Sequence, residues 1–181
     1  MGVKKMNWYN EPTTWTRQED KLIVTANGKT DFWRVTLHGF IKDDGHFYYQ
    51  AVSGDFTAIV QVTGAYAALY DQAGLMVRES ETVWLKCGIE YLAGVQQASA
   101  VITRDFSDWS ILPLTDNPAA IWIRVKRTDA AVEVFFSRDD EVYTLIRQGY
   151  LSEEATLQVG MMCAAPQGDG FEVIFEGFSV G

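Results

Sequence analysis

An all-β sandwich is the fold class this sequence predicts, and three observations predict it. Apolar residues recur at every second position in several windows, which is the period of a half-buried strand. The windows are short and are parted by Gly, Asn, Asp and Pro turns. No window of a dozen residues or more carries helical periodicity, so roughly a dozen strands result, as in a sandwich or a barrel. The sandwich is preferred because many strands combine one apolar face with one mixed face.

The chain opens with Trp8 and Trp15, then a short strand, residues 21–26 (KLIVTA), ended by Asn27-Gly28, a turn pair that tolerates positive φ. Residues 31–34 (DFWR) and a loop around Gly39 follow. The turn 42–45 (KDDG) leads into the aromatic run His46-Phe47-Tyr48-Tyr49-Gln50. From Phe56 to Gly64 the alternation is regular, with Phe56, Ala58, Val60 and Val62 on one face.

The organising stretch is residues 70–91, YDQAGLMVRESETVWLKCGIEY, read as two strands joined by Glu79-Ser80-Glu81-Thr82. On the first strand Ala73, Leu75 and Val77 alternate with Gln72, Gly74, Met76 and Arg78. On the second, Val83, Leu85, Cys87, Ile89 and Tyr91 alternate with Trp84, Lys86, Gly88 and Glu90. Successive strand side chains point to opposite faces. One face is therefore a core set, and the other gathers Gln72, Arg78, Trp84, Lys86 and Glu90.

Beyond it, residues 94–97 read as a turn, 98–104 as a strand, 105–110 as a bend into a further short strand ending at Leu112-Pro113, and 115–118 (TDNP) as a loop. Residues 120–128 alternate again, Ile121, Ile123 and Val125 against Trp122, Arg124 and Lys126. Strands follow at 132–137 and 142–147, and residues 153–157 are polar enough for a helical turn. Leu157, Val159, Met161 and Cys163 share a face, and residues 171–180 close the chain.

At 181 residues the chain suits one domain, 1–181. Aromatics make up 13%, with six Trp, eight Tyr and ten Phe, enough to fill a core and still leave rings outside it. A net charge of −9 repels nucleic acid and anionic membranes, and no basic run exceeds Val125-Lys126-Arg127. The start, MGVKKMNWYNEP, has no apolar run like a secretory signal, and no stretch approaches the roughly 20 apolar residues of a membrane span. A cytoplasmic protein is expected. Cys87 and Cys163, both on core faces, read as reduced thiols there.

Several motifs, namely Asp31-Phe32-Trp33, Gly54-Asp55-Phe56, the run 70–78 (YDQAGLMVR), Trp84-Leu85-Lys86 and residues 122–127 (WIRVKR), resemble a widespread family of unknown function related to the fungal regulation-of-enolase protein. The similarity covers nearly the whole chain, and YDQAGLMVR is its most specific part. It implies the concanavalin A-like lectin and glucanase sandwich, a jelly roll of two curved antiparallel sheets whose concave face binds sugars in relatives of the superfamily. Residues 137–140 (SRDD) stand where the family is expected to have an Asp-Gly turn, and Asp tolerates the left-handed backbone that this needs.

With Ala73, Val83, Leu85, Ile121 and Ile123 pointing into the core, Arg78, Trp84, Lys86, Glu90, Trp122 and Arg124 are expected to share the opposite face of their sheet. Indoles stack on sugar rings, and charged and amide groups hydrogen-bond hydroxyls. The first expectation is a non-catalytic binding module for a carbohydrate or sugar-like metabolite, with Gln72, Arg78, Lys86, Glu90 and Arg124 as polar contacts and Trp84 and Trp122 as platforms. The competing account of that face is a solvated network in which Arg78 and Lys86 pair with Glu90. A second expectation, suggested by the resemblance, is a protein-interaction or regulatory module acting on a metabolic enzyme through the same face or a patch near Phe47-Tyr48-Tyr49.

A glycoside hydrolase or other sugar-active enzyme comes third. Glucanases of the superfamily carry two glutamates and an aspartate on alternate positions of one strand, and Glu172-Val173-Ile174-Phe175-Glu176 has Ile174 where the aspartate belongs. No metal or cofactor is expected, since the acidic turns lack calcium-loop spacing and phosphate-cradling and nucleophile motifs are absent.

Overall fold

In a computed structural model, which describes residues 5–181, the period-two windows become sixteen strands, with no helix among the described residues. They are β1 (Asn7–Tyr9), β2 (Thr14–Gln18), β3 (Lys21–Asn27), β4 (Phe32–Arg34), β5 (Ile41–Asp43), β6 (His46–Ser53), β7 (Phe56–Gly64) and β8 (Gln72–Arg78). After them come β9 (Val83–Leu92), β10 (Val95–Arg104), β11 (Phe106–Leu114), β12 (Ile121–Thr128), β13 (Ala131–Ser137), β14 (Tyr143–Tyr150), β15 (Thr156–Ala164) and β16 (Gly170–Val180). A front sheet runs β1-β6-β15-β8-β9-β10-β11 and a back sheet runs β14-β13-β12-β7-β16-β3-β2, while β4 and β5 form a separate hairpin. Consecutive strands such as β6 and β7, β7 and β8, or β11 and β12 lie in different sheets, so the chain crosses repeatedly between layers. This is a jelly-roll sandwich of two curved antiparallel sheets.

The main core lies between the sheets. Ala73, Leu75, Val77, Leu85, Cys87, Ile89, Leu157, Val159, Met161 and Cys163 of the front meet Ala58, Val60, Val62, Ile121, Ile123, Val125, Val173 and Phe175 of the back. The alternation predicted on residues 56–64, 73–89 and 157–163 therefore points the way the sequence implies. Cys87 and Cys163 are free and buried, and they stand on opposite sides of β8, Cys87 across from Leu75 and Cys163 across from Ala73. Two strand spacings, about 10 Å, are too far for a disulfide.

Every residue of β8 is buried, and so is most of β9. A sheet with solvent on one face cannot bury both of its faces, so something covers the front. The β4–β5 hairpin is that cover. Phe32 at its start is fully buried among Phe47, Met76, Trp84, Val101 and Met162, which form a second, smaller core on the outer side of the front sheet.

Three local expectations change. The turn expected at 94–97 is tighter, since Ala93 and Gly94 reverse the chain at φ 50 and 89 and β10 starts at Val95. The bend expected at 105–110 is confined to Asp105 (φ 62), so the short strand expected after it begins at Phe106 and pairs with β10 from Gln96 to Arg104. Pro113 is tolerated there since β11 is an edge strand. The helical turn expected at 153–157 is absent, because Arg127 draws out the carbonyls of Ser152 (3.3 Å) and Glu154 (2.6 Å) that a helix would use. In residues 137–140, Asp140 does take the left-handed conformation, at φ 63.

Gly74 and Gly88 stand opposite each other on the covered face. A Cβ on Gly74 would lie 1.9 Å from the Cys87 carbonyl oxygen, and one on Gly88 would lie 2.1 Å from that of Ala73. Gly74→Ala should therefore lower the unfolding free energy by about 1–3 kcal/mol or more, read as a shifted urea midpoint at unchanged slope.

Candidate functional site

The site grows from two cations that the sheet takes out of water. Buried Arg78 and Lys86 would be costly unless paired, and the hairpin supplies the partners. Arg78 donates two parallel hydrogen bonds to Asp43, Nη1 to Oδ1 and Nη2 to Oδ2, both 2.8 Å. Its guanidinium lies 4.5 Å over the ring of Tyr9, whose hydroxyl donates to Asp43 Oδ2 at 2.6 Å. Lys86 Nζ directs its three protons to Asp31 Oδ1 (3.3 Å), the Phe32 carbonyl (2.6 Å) and Gln72 Oε1 (2.7 Å). Gln72 Nε2 reaches Asp31 Oδ1 and the Tyr70 carbonyl, both at 3.2 Å. At the far end the Arg34 backbone N–H donates to Ser107 Oγ at 2.9 Å. The hairpin is thus bolted across the front sheet as a roof.

These pairings relocate most of the residues singled out in the sequence. Gln72, Arg78 and Lys86 do share one face with Trp84 and Glu90, but the first three are occupied by the roof. Trp84 is 0% exposed, edge-on to Phe32 at 6.2 Å with its N–H on the Glu81 carbonyl at 3.2 Å, so it supports the roof and offers no open ring. Trp122 and Arg124 are elsewhere. Strand β12 pairs with β7 and β13 in the back sheet, and Arg124 there lies 3.3 Å from the centroid of the Tyr143 ring. The expectation of one shared face fails because β8 and β12 alternate alike yet hydrogen-bond into different sheets. Nor does the Phe47-Tyr48-Tyr49 run form an exposed patch: Phe47 is 0% and Tyr48 8% exposed.

Glu90 remains, and beside it the roof leaves a pocket of about 240 Å³. Asp31, Lys86 and Glu90 reach its floor, and Trp33, His38, Phe40, Tyr70 and Trp109 line it, with Pro166 and Gln167 completing the lining. One wall is the loop between β4 and β5. The Val35 N–H donates to the Phe40 carbonyl (2.8 Å), the Gly39 N–H to that of Val35 (2.7 Å), and Trp33 Nε1 to that of Thr36 (3.1 Å). This winding holds Val35 at φ 60 and Leu37 at φ 64, conformations that cost on the order of 1–3 kcal/mol for such residues. It also packs His38 between Trp33 and Phe40, with ring centroids 5.8 Å apart in each pair. Tyr70, at φ 68, is another strained residue of the lining.

The opposite wall is tied to the floor. Trp109 Nε1 donates to Ser99 Oγ at 3.1 Å, and Ser99 Oγ donates to Glu90 Oε2 at 2.9 Å. Glycine at position 88, between Lys86 and Glu90 and across from Ser99, keeps the floor low. Glu90 is 8% exposed. Burial pushes its carboxyl above the usual range, against the opposing pull of the Lys86 charge and the Ser99 hydrogen bond. The other histidine is structural: His46 Nε2 accepts from the Asn27 N–H at 2.9 Å, and its Nδ1 donates to the Asn10 carbonyl at 2.6 Å. Among the described residues no group of three or more His, Cys, Asp and Glu side chains is arranged to hold a metal ion, and no helix is long and apolar enough to cross a membrane.

Sequence reasoning missed Trp33, His38, Phe40, Tyr70 and Trp109 as site residues, although Asp31 and Asp43, at either end of the roof, were the acids that the buried cations require.

Two seven-stranded antiparallel sheets, packed face to face and joined by repeated crossovers, make this a jelly-roll sandwich of the concanavalin A-like kind. More narrowly, the chain belongs to the family described as "Protein of unknown function (DUF1349)", which matches residues 8–181. It is 36% identical over 173 residues to Regulation of enolase protein 1 of Saccharomyces cerevisiae, covering 96% of this chain and 87% of that one. The crystal structure of a functionally unknown protein from Saccharomyces cerevisiae superposes with a TM-score of 0.94 at 36% identity, covering 97% and 95% of the two chains. The carbohydrate-binding module CBM66 of Bacillus subtilis shares the fold at a TM-score of 0.59 and 12% identity, over 96% and 94%.

Two outcomes follow from these charges. Arg78→Ala leaves Asp43 facing the sheet without a counter-charge and should cost about 3 kcal/mol, with the amides of β4 and β5 losing hydrogen-exchange protection first. Glu90, whose carboxyl titrates higher folded than unfolded, favours the folded state at low pH and loses that contribution as pH rises through its folded value. Glu90→Gln should therefore melt at a higher temperature than the parent protein at pH 7, and the two melting curves should converge toward pH 4.

Proposed function

We propose that this protein is a non-catalytic binding module for a carbohydrate or sugar-like metabolite, acting in the cytoplasm and holding its ligand in the pocket beneath the roof. The observation that carries this reading is the combination of Trp33 and Trp109 on the lining with a floor whose carboxylate, Glu90, is not engaged by the roof. Rings of this kind stack on the apolar faces of a pyranose while a carboxylate accepts from its hydroxyls. The volume, about 240 Å³, falls just short of the roughly 300–1,000 Å³ of pockets for drug-sized ligands. It suits a single sugar ring. The fold shared with a carbohydrate-binding module supports the same class.

A hydrolytic role has less to stand on. Glycoside hydrolysis takes two working carboxyl groups, and Asp31, the second acid of the pocket, already accepts from the Phe32 N–H (2.7 Å), Gln72 and Lys86. Glu172 and Glu176 are on β16 of the back sheet, where Glu172 is exposed and Glu176 pairs with Lys21 at 3.1 Å.

A regulatory module that contacts a metabolic enzyme is the second reading, favoured by the printed name of the yeast relative. The surface for it would be the edge where Ile111 and Leu112 of β11 and Leu145 of β14 are exposed. Saturable binding to purified enolase that is lost in Leu145→Asp would carry it.

The sugar reading is tested by a thermal-shift screen against mono- and oligosaccharides. A true ligand at about 100 times its dissociation constant should add roughly 2.7 kcal/mol. The shift should vanish in Trp109→Ala, a change at a residue that is 37% exposed, while that variant still unfolds cooperatively. A screen with no shift, or a shift indifferent to Trp109→Ala, would overturn the assignment.

A further inference from the structure

We infer that the ligand of this pocket carries a protonated amine, so that among sugars it takes those with a free amino group ahead of neutral hexoses and rejects uronic acids. The inference rests on the sugar reading of the pocket and narrows it.

The hydrogen-bond inventory of the floor is the first reason. All three Lys86 protons are committed, to Asp31, the Phe32 carbonyl and Gln72. The Ser99 hydroxyl proton is on Glu90, and the Trp109 N–H is on Ser99. Lys86, Ser99 and Trp109 thus have no proton left for a ligand's carboxylate or phosphate. What is left are acceptors. Glu90 lines the pocket, and the Ser99 proton engages its Oε2. A ligand that fits this floor donates.

Charge is the second reason. Asp31 and Glu90 set two carboxylates against the single ammonium of Lys86, which is in contact with Asp31. A hydroxyl would satisfy a lone pair of Glu90 but leave its charge buried and unbalanced, whereas an ammonium satisfies both. Aromatic rings attract a cation held within about 6 Å of a face, and Trp33, Phe40 and Trp109 line the pocket, while the net charge of −9 draws cations toward the protein.

The test is isothermal titration of the full chain with glucosamine, glucose, glucuronate and methylammonium, in parallel on the parent protein and on Glu90→Gln. Glucosamine should bind about tenfold or more tighter than glucose, with glucuronate weakest, as one charge-assisted contact would give. Glu90→Gln should erase that advantage by weakening glucosamine far more than glucose, which loses only the better acceptor for a hydroxyl, and its melting curve will show that it is folded. Equal affinity for glucosamine and glucose, or glucuronate binding tightest, would overturn the amine inference and leave the sugar reading standing. Methylammonium binding without any sugar binding would do the reverse. Silence from all four overturns both.

Discussion

Arg78 and Lys86 each have one counter-charge, and its location decides the architecture of the front of the molecule. Pairing with Glu90 across the strands would have left an open, solvated sheet. Pairing instead with Asp43 and Asp31, 35 and 55 residues away along the chain, pulls a hairpin over the face, inserts Phe32 and creates the second core. The same choice leaves Glu90 without a cation of its own. Roof and pocket are thus two outcomes of one pairing. Buried ion pairs of this sort add little net stability compared with well-packed apolar residues. Their service is to fix position, since any other seating of the hairpin would bury Arg78 or Lys86 unpaired.

The fold was legible wherever one strand face is apolar. Residues 56–64, 73–89 and 157–163 announce their inward sides by alternation alone, and the structure places those sides in the main core. Sheet membership is not written in that code. Strands β8 and β12 have the same pattern but different neighbours, because pairing partners are set by crossovers that local periodicity does not record, and this moved Trp122 and Arg124 to the wrong side. The roof was hidden for another reason. Strands of three residues, such as β4 and β5, are too short for a period to show, and Trp84 looks like a surface ring until something is known to lie on it. The pocket inherits that difficulty, since its walls come from Trp33 to Phe40 of the roof loop, from Tyr70 and from the edge strand that carries Trp109.

The pocket is also where the molecule accepts local cost. Val35, Leu37 and Tyr70 hold left-handed backbone with side chains that disfavour it, and Glu90 keeps an ionisable group in a desolvated place. By contrast, the main core between the sheets is made of ordinary apolar strand residues in their preferred conformations. Left-handed residues also occur at turns elsewhere, such as Glu19, Lys29 and Ala93, but beside this cavity they fall on bulky side chains and coincide with an undercompensated charge.

Because His38 and Phe40 of the lining sit on a six-residue loop while Glu90 sits on the sheet, the two parts of the site can change independently. Insertions or replacements between Arg34 and Ile41 would remodel the shape of the opening without touching the ion pairs at Asp31 and Asp43 or any residue of the main core. Descendants of one ancestral sandwich could in this way acquire different ligands through drift in a single short segment, with the foldability of the domain carried forward intact.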